Sequence, residues 1–429
     1  MPGFAGMTSG RHYGIISRMI TKQDIGIVSG LAKRVAEIAA LPVMDERRKQ
    51  WRALNALKPE RPMFTIDQVC WTEMNVDDEL TCRCEDSAAR WHEWTLRMTL
   101  YRHKYFYDDT VIEPFYRVGK AVSGAGLGFG SKQTTLHSEG YNDIASHRYV
   151  NQIKTIDDVR KIPMPVVSHD VAETARRVAE AEELLAGALP VVEYGHDPYI
   201  SVWDPVSTWM SVEGALYALI DQPEMMRALV DRVVAAYATM LDQLEAQGLL
   251  CHSQTMIHCT GAQSDELPAP GFDPAKPRAK DIWAFGLAQM FSTVSPEMFD
   301  EFEIEPNLRL LERFGLIYYG CCDPLDHKMK QVRKIKNCRK VSMSPWVNED
   351  LGASGIAGDF VYSRKPNPAF LAWTNFDAAA VRADLVKTRE ICKREGCPAE
   401  FILKDISTVK HEPQRLWEWA KIARKVCEE

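Results

Sequence analysis

The chain has 429 residues, of which 46% are hydrophobic, and it carries a formal net charge of −7 with a pI near 5.9. This composition supplies a sizeable core and is atypical of disordered chains, and the acidic balance argues against a nucleic-acid-binding protein. No apolar run of about 18 residues occurs, and the first residues lack the apolar core of a signal peptide, so we expect a cytoplasmic protein without a membrane span.

Helical patterns and apolar strands alternate along most of the chain. Residues 22–58 read as helical, and a segment rich in Gly, Ser, Thr and Asn over residues 119–165 predicts a loop or hairpin insertion after the second strand. The eight predicted strands are Arg61–Asp67, Asp109–Phe115, Leu189–Gly195, Ser253–Cys259, Leu316–Gly320, Arg339–Pro345, Asp359–Lys365 and Ala399–Asp405. This alternation predicts an α/β fold, a (β/α)8 TIM barrel over residues 61–429 with an N-terminal helical extension over residues 1–60.

Polar side chains collect at the carboxyl ends of these strands, where a TIM barrel has its active site. We assign the following residues to one pocket: Asp67, Trp71, Glu193, His196, Trp203, His258, Cys321, Cys322, Ser344, Lys365, Lys404 and Asp405. Because a buried polar group without a partner costs about 1–3 kcal/mol, this accumulation favours a functional pocket over chance.

The segment Gly315–Leu325, GLIYYGCCDPL, ends a buried strand in two thiols and a carboxylate. The 11 cysteines of the chain are odd in number and irregularly spaced, which favours free thiols or metal ligands over disulfides. If the strand is still extended at this point, Cys321 and Cys322 point to opposite sides and only one of them faces the pocket. That thiol binds a metal, attacks a substrate or fills space, and His258 is a ligand, a base or a core histidine.

Three segments carry a family pattern: ERRKQWRALNALKPERPMF (residues 46–64), SPEMFDEFEIEPNLRLLERFG (Ser295–Gly315) and YYGCCD (residues 318–323). Together they resemble the uroporphyrinogen decarboxylase superfamily, which includes cobalamin-dependent methyltransferases. The second segment is similar to the family's S-P-x-x-F-x-E-F-x-x-P helix, and the third falls where the methyltransferases have a zinc-binding His-x-Cys motif. Over residues 44–426, the resemblance implies the barrel fold, a zinc site and a corrinoid protein as partner.

Two departures from the family's patterns limit which of the family's activities and metal ligands we expect in this chain. The decarboxylases have an arginine-rich loop after the first strand, whereas Asp67–Asn75 contains no arginine, so we do not expect porphyrinogen decarboxylation. Tyr319 stands where the methyltransferases have their histidine ligand, and the eighth strand ends without a cysteine. The ligands that this chain offers instead are Cys321 or Cys322, His258, and a carboxylate such as Asp405 or Asp323.

The first functional hypothesis is a methyltransferase component that moves a methyl group between a small methylated substrate and a corrinoid protein or thiol acceptor. Zinc would act as a Lewis acid, held by His258, Cys321 and Cys322. Glu193, Lys404 and Asp405 would serve as acids or bases, and the substrate would contact Asp67, Trp71, His196, Trp203, Ser344 and Lys365.

Two alternatives remain open, and a homodimer is compatible with each hypothesis. One is a metal-independent lyase or decarboxylase, which would anchor a small acidic substrate through Lys404, Arg364 and Lys365. The other is a binding barrel without catalysis.

Overall fold

The computed structural model describes residues 20–136 and 146–429. The first 19 residues of the predicted N-terminal extension and residues 137–145 of the predicted insertion therefore lie outside the described residues. In the described part of the chain, no helix is both long and apolar enough to cross a membrane.

One parallel sheet of seven strands forms the centre of the molecule. We number its strands in chain order: β1 (Met63–Ile66), β2 (Tyr199–Ile200), β3 (Trp283–Gly286), β4 (Leu316–Tyr319), β5 (Cys338–Met343), β6 (Val361–Arg364) and β7 (Ala399–Leu403). Their order across the sheet is β1-β7-β6-β5-β4-β3-β2, and every pairing between them is parallel. Strands β1 and β2 are therefore the two edge strands of this sheet.

The predicted α/β architecture with a parallel sheet is confirmed, but the closed barrel of eight strands is not observed. Within the described residues, the main sheet has seven strands, and β1 does not pair with β2. The predicted strand Asp109–Phe115 is irregular, and the following Tyr116–Gly119 pairs with Val191–Tyr194 in a separate two-stranded sheet. The sequence pattern missed β2 and β3, because β2 has only two residues and β3 is a short apolar stretch after a proline-rich loop.

The predicted strand Ser253–Cys259 is a tight hairpin instead. Met256–Ile257 pairs antiparallel with Thr260–Gly261, which leaves His258 and Cys259 as the two-residue turn. The Thr65 hydroxyl of β1 donates a hydrogen bond of 2.5 Å to the Cys259 carbonyl, and the His258 ring stacks on Phe285 of β3. The hairpin therefore contacts β1, at one edge of the sheet, and β3, next to the other edge.

Helices alternate with the strands of the sheet, and two helices form the N-terminal part of the described chain. The helices are Lys22–Ala39, Pro42–Asn55, Ser87–Tyr105, Ile156–Arg160, Val171–Leu185, Trp203–Met210, Val212–Asp221, Pro223–Ala246, Pro296–Phe299, Glu305–Leu311, Met329–Val332, Glu349–Ile356, Ala369–Ala372, Ala378–Arg394 and Gln414–Glu428. A π-helical turn, Asp300–Ile304, joins two of them. Within the predicted insertion, Gln133–Leu136 and Ser146–Tyr149 form an antiparallel pair.

A fully buried ion pair crosses the inner face of the sheet. Lys340 Nζ of β5 lies 2.8 Å from the Glu400 carboxylate of β7, and both side chains are completely buried. The same carboxylate accepts hydrogen bonds from the hydroxyls of Thr260 (2.6 Å) and Ser363 (2.5 Å), and Lys340 also donates to the Gly261 carbonyl. These bonds compensate the desolvation of two charges, and they fix the hairpin to the sheet.

We expect Glu400→Leu to lower the free energy of unfolding by about 3–5 kcal/mol, because it leaves the Lys340 ammonium buried without its partner. The double variant Lys340→Met, Glu400→Leu should recover a large part of this loss, since no buried charge remains. Denaturant unfolding of the three proteins measures both effects. Arg382→Ala, which breaks an exposed pair with Glu429, is the matched control and should cost less than about 1 kcal/mol. Equal losses in the single and double variants would contradict the role of the ion pair.

Candidate functional site

An imidazole, two thiols and an ammonium meet at the carboxyl ends of the strands. Lys404 Nζ lies 3.2 Å from Cys321 Sγ and 3.3 Å from His258 Nε2. Cys321 Sγ lies 3.6 Å from His258 Nε2 and 3.6 Å from Cys322 Sγ. We call His258, Cys321, Cys322 and Lys404 the thiol–lysine cluster.

His258 reaches the cluster from the strained tip of the hairpin. Both turn residues have positive φ, 36° for His258 and 70° for Cys259. Two-residue hairpin turns with two positive φ angles are usually Asn-Gly, because other side chains pay a steric penalty there. The His258 ring is held parallel to Phe285, with ring centroids 3.7 Å apart and an interplanar angle of 11°. Backbone strain of this kind is typical of functional sites, and here it aims Nε2 at Cys321.

The two cysteines reach the cluster together because the chain turns at Gly320. Gly320 has φ of 90°, and a Cβ there would lie 2.5 Å from a Leu325 methyl carbon, so the bend requires glycine. The condition under which Cys321 and Cys322 would point to opposite sides is not met, because the strand ends at Tyr319 and the two sulfurs are 3.6 Å apart. Cys321 is 3% exposed, whereas Cys322 is exposed to solvent.

A second lysine supports the cluster from inside the sheet. Lys365 Nζ donates to the hydroxyls of Tyr318 (2.5 Å) and Ser342 (2.6 Å), and Ser342 donates in turn to the Cys321 carbonyl at 2.7 Å. Burial lowers the pKa of Lys365 to about 8. Lys365 therefore lies below the cluster and fixes the backbone of Cys321 through Ser342.

The surroundings favour the thiolate form of Cys321. The hydrogen bond with Cys322 lowers the pKa of Cys321 most, and His258, Lys365 and Lys404 lower it further, against the effect of burial. The same hydrogen bond raises the pKa of Cys322. Burial lowers the pKa of His258, and although burial opposes it, the charge on Cys321 raises the pKa of Lys404. These shifts favour a thiolate at Cys321, a thiol at Cys322, a neutral imidazole at His258 and an ammonium at Lys404.

The donor atoms of the thiol–lysine cluster match the geometry of a zinc site in part. In residues 20–136 and 146–429, no group of three or more His, Cys, Asp or Glu side chains is arranged as metal ligands in the structure as it stands. Two spacings nevertheless fit: tetrahedral zinc places N and S ligands about 3.5 Å apart and two sulfurs about 3.8 Å apart, close to the 3.6 Å observed for both pairs. The Lys404 ammonium touches both His258 and Cys321, and its long flexible side chain would have to move for a metal to bind.

Other predicted site residues lie around the cluster. Asp405 is exposed, has φ of 57°, and its carboxylate is 3.5 Å from Lys404 Nζ. Asp67 lies next to Cys259, whose pKa is raised by burial and by the Asp67 charge. Ser344 is fully buried just beyond the end of β5.

Five predicted residues lie outside the cluster. Glu193 is on the separate two-stranded sheet, half exposed and 4.0 Å from Lys120, and His196 bridges to Leu250 through its backbone. Trp203 is completely buried against Phe291 in the core, and Trp71 packs on Trp94, Tyr101 and Phe106. Arg364 faces away from Lys365 along β6 and pairs with Glu349 and Asp384, so it is not an anchor in the pocket.

Phe285, Tyr318 and Ser342 belong to the site but are not among the predicted site residues, although Tyr318 and Ser342 stand near the ends of predicted strands. Tyr318 and Ser342 could have been found from the two-residue period of strands, because they share a face with Lys340 and Lys365 in the paired strands. Phe285 could not have been found in this way, since its strand was not predicted.

No protein-family model matches the chain, and no curated protein is significantly similar to it. Among solved structures, a methyltransferase from Methanosarcina mazei is similar, with a TM-score of 0.48 and 12% sequence identity over 89% of this chain and 98% of that chain. This similarity is too distant to assign an activity.

Lys404→Met should raise the pKa of Cys321, because it removes an ammonium 3.2 Å from the sulfur. As the pH falls, the thiolate should then be lost at a higher pH than in the parent protein. The thiolate absorbance in the ultraviolet, taken as the difference from Cys321→Ser, measures this titration. Lys410→Met, which changes an exposed lysine, is the control and should not change the pH at which the Cys321 thiolate is lost. An unchanged titration in Lys404→Met would show that the ammonium does not hold the thiolate.

Proposed function

We propose that the protein is a methyltransferase of the uroporphyrinogen decarboxylase superfamily that moves a methyl group between a small methylated substrate and a thiol or a corrinoid carried by a partner protein. The observation that carries this proposal is the position of Cys321 Sγ, 3.6 Å from both His258 Nε2 and Cys322 Sγ at the carboxyl ends of parallel strands. The family resemblance of the segment that contains both cysteines supports the same chemistry. The cyclic strand order also supports a (β/α)8 barrel that has opened at one seam.

We propose His258, Cys321 and Cys322 as the residues that hold zinc, which when bound supplies a Lewis acid that activates a thiol or polarises the heteroatom carrying the methyl group. The hydrogen bond with Cys322, and to a smaller extent His258, Lys365 and Lys404, lower the pKa of Cys321 and favour the thiolate, which is the form that a metal requires. Exposed Cys322 places one sulfur at the open side of the site. Lys404 and Asp405, 3.5 Å apart, are the pair that holds and moves a proton at the mouth of the site.

A second candidate function is a metal-independent lyase or decarboxylase of a small acidic substrate. The observation that favours it is the pair of lysines Lys365 and Lys404. Among the described residues, the one carboxylate within ion-pair distance of Lys404 is that of exposed Asp405. A substrate carboxylate would replace Asp405 beside Lys404 and gain a charge-assisted hydrogen bond.

Metal content and methyl transfer together test the first candidate. Protein purified with zinc should contain about one ion per chain, and it should transfer the methyl group of methylcobalamin, used in place of a protein-bound corrinoid, to an added thiol. Cys321→Ser and His258→Ala should lose the zinc and lower the rate by on the order of 100-fold or more, since a Lewis acid supplies several kcal/mol. Cys82→Ser changes a partly exposed cysteine that is distant in sequence from Cys321. It is the matched control and should keep both the zinc and the rate.

The same variants separate the two candidates. A protein without zinc, in which Cys321→Ser leaves the reaction unchanged, would rule out the methyltransferase mechanism. Decarboxylation of an acidic compound that is lost in Lys404→Met but survives metal chelation would support the lyase instead.

A further inference from the structure

Cys321 and Cys322 are neighbours in the chain, and their sulfurs are in contact at 3.6 Å. All 11 cysteines are free, and among the described residues this is the one sulfur–sulfur contact within hydrogen-bond distance. The contact is built by the fold, because Gly320 bends the chain and Ser342 binds the Cys321 carbonyl.

Bond formation between these sulfurs would give a strained disulfide. Adjacent Cα atoms are about 3.8 Å apart, whereas disulfides usually join Cα atoms about 4.4–6.8 Å apart. Strained and exposed disulfides have more oxidising potentials than structural ones, so they are readily reduced. A bond at this position is therefore suited to reversible modification rather than to permanent crosslinking.

We propose that Cys321 and Cys322 are a modification site, at which a peroxide drives formation of a reversible disulfide between these adjacent cysteines. In the disulfide, neither sulfur of the thiol–lysine cluster can act as a thiolate or as a metal ligand. The consequence for metal binding rests on the proposed function, whereas the chemistry of the disulfide does not. The geometry assigns different roles to the two residues.

Cys321 is the attacking sulfur, because it contacts the Lys404 ammonium and His258. Its thiolate attacks one oxygen of hydrogen peroxide, the O–O bond breaks, and hydroxide leaves, which gives Cys321 sulfenic acid. The sulfur of Cys322 then attacks Cys321, the S–O bond breaks, and water leaves with the Cys322 proton. In sum, one thiolate, one thiol and one peroxide give a disulfide, one water and one hydroxide, and the two sulfurs lose two electrons to the peroxide.

Peptide mapping tests the proposal directly. Trypsin cuts after Arg313 and Lys328, and the peptide of residues 314–328 contains Cys321 and Cys322 but no other cysteine. After treatment of the folded, full-length protein with an equimolar amount of hydrogen peroxide and blocking of free thiols, this peptide should be unblocked and about 2 Da lighter than its reduced form. Dithiothreitol should restore both thiols.

Cys322→Ser separates the two steps. Without its partner, Cys321 should stop at the sulfenic acid and be captured by dimedone, while Cys82→Ser should form the disulfide like the parent protein. Blocking of both thiols in the peroxide-treated parent, or over-oxidation of Cys321 in the presence of Cys322, would overturn the proposal.

Zinc uptake by the reduced and oxidised proteins shows which proposal fails. We expect uptake by the reduced protein, its loss on oxidation and its return after reduction. If the disulfide forms but the reduced protein takes up no zinc, the zinc-dependent function is wrong and the modification site stands. If zinc is bound but no disulfide forms, the modification site is wrong and the proposed function stands.

Discussion

The buried carboxylate of Glu400 is the constraint on which the rest of the site depends. It forms an ion pair with Lys340 and accepts hydrogen bonds from the hydroxyls of Ser363 and Thr260. These bonds join strands β5, β6 and β7 of the sheet to the hairpin. A charge at this depth is stable only when its partners are all present. The same bonds that satisfy it therefore decide where the hairpin lies, and the hairpin carries His258.

This arrangement explains how the molecule keeps a strained turn. Positive φ at two successive residues without glycine costs free energy, of order 1–3 kcal/mol for each residue, and persists only where the surroundings fix it. Here Thr65 binds the Cys259 carbonyl and Phe285 stacks on His258. These two contacts offset the strain of the turn. The same contacts that stabilise the hairpin therefore also position the His258 imidazole next to Cys321.

The sequence predicted the parts of this structure that depend on local pattern. The alternation of apolar strands and helices predicted the parallel sheet, and the predicted strand ends placed Lys365 and Lys404 at its carboxyl edge. It could not predict the turn at His258, because the seven residues Ser253–Cys259, SQTMIHC, read equally well as one strand. Nor could it show that Gly320 turns Cys321 and Cys322 to the same side, since that turn depends on Leu325 and Ser342, which neighbouring parts of the fold supply.

The contact between Lys404 and the two donor atoms links charge to chemistry. An ammonium 3.2–3.3 Å from Cys321 and His258 and a divalent ion bound by the same atoms would repel strongly at low dielectric. If zinc is held by His258 and Cys321 as proposed, Lys404 would have to move, and Asp405, 3.5 Å away on the exposed side, is the carboxylate within its reach. Lys404 would then be a charged group at the mouth of the site, where a substrate would meet it.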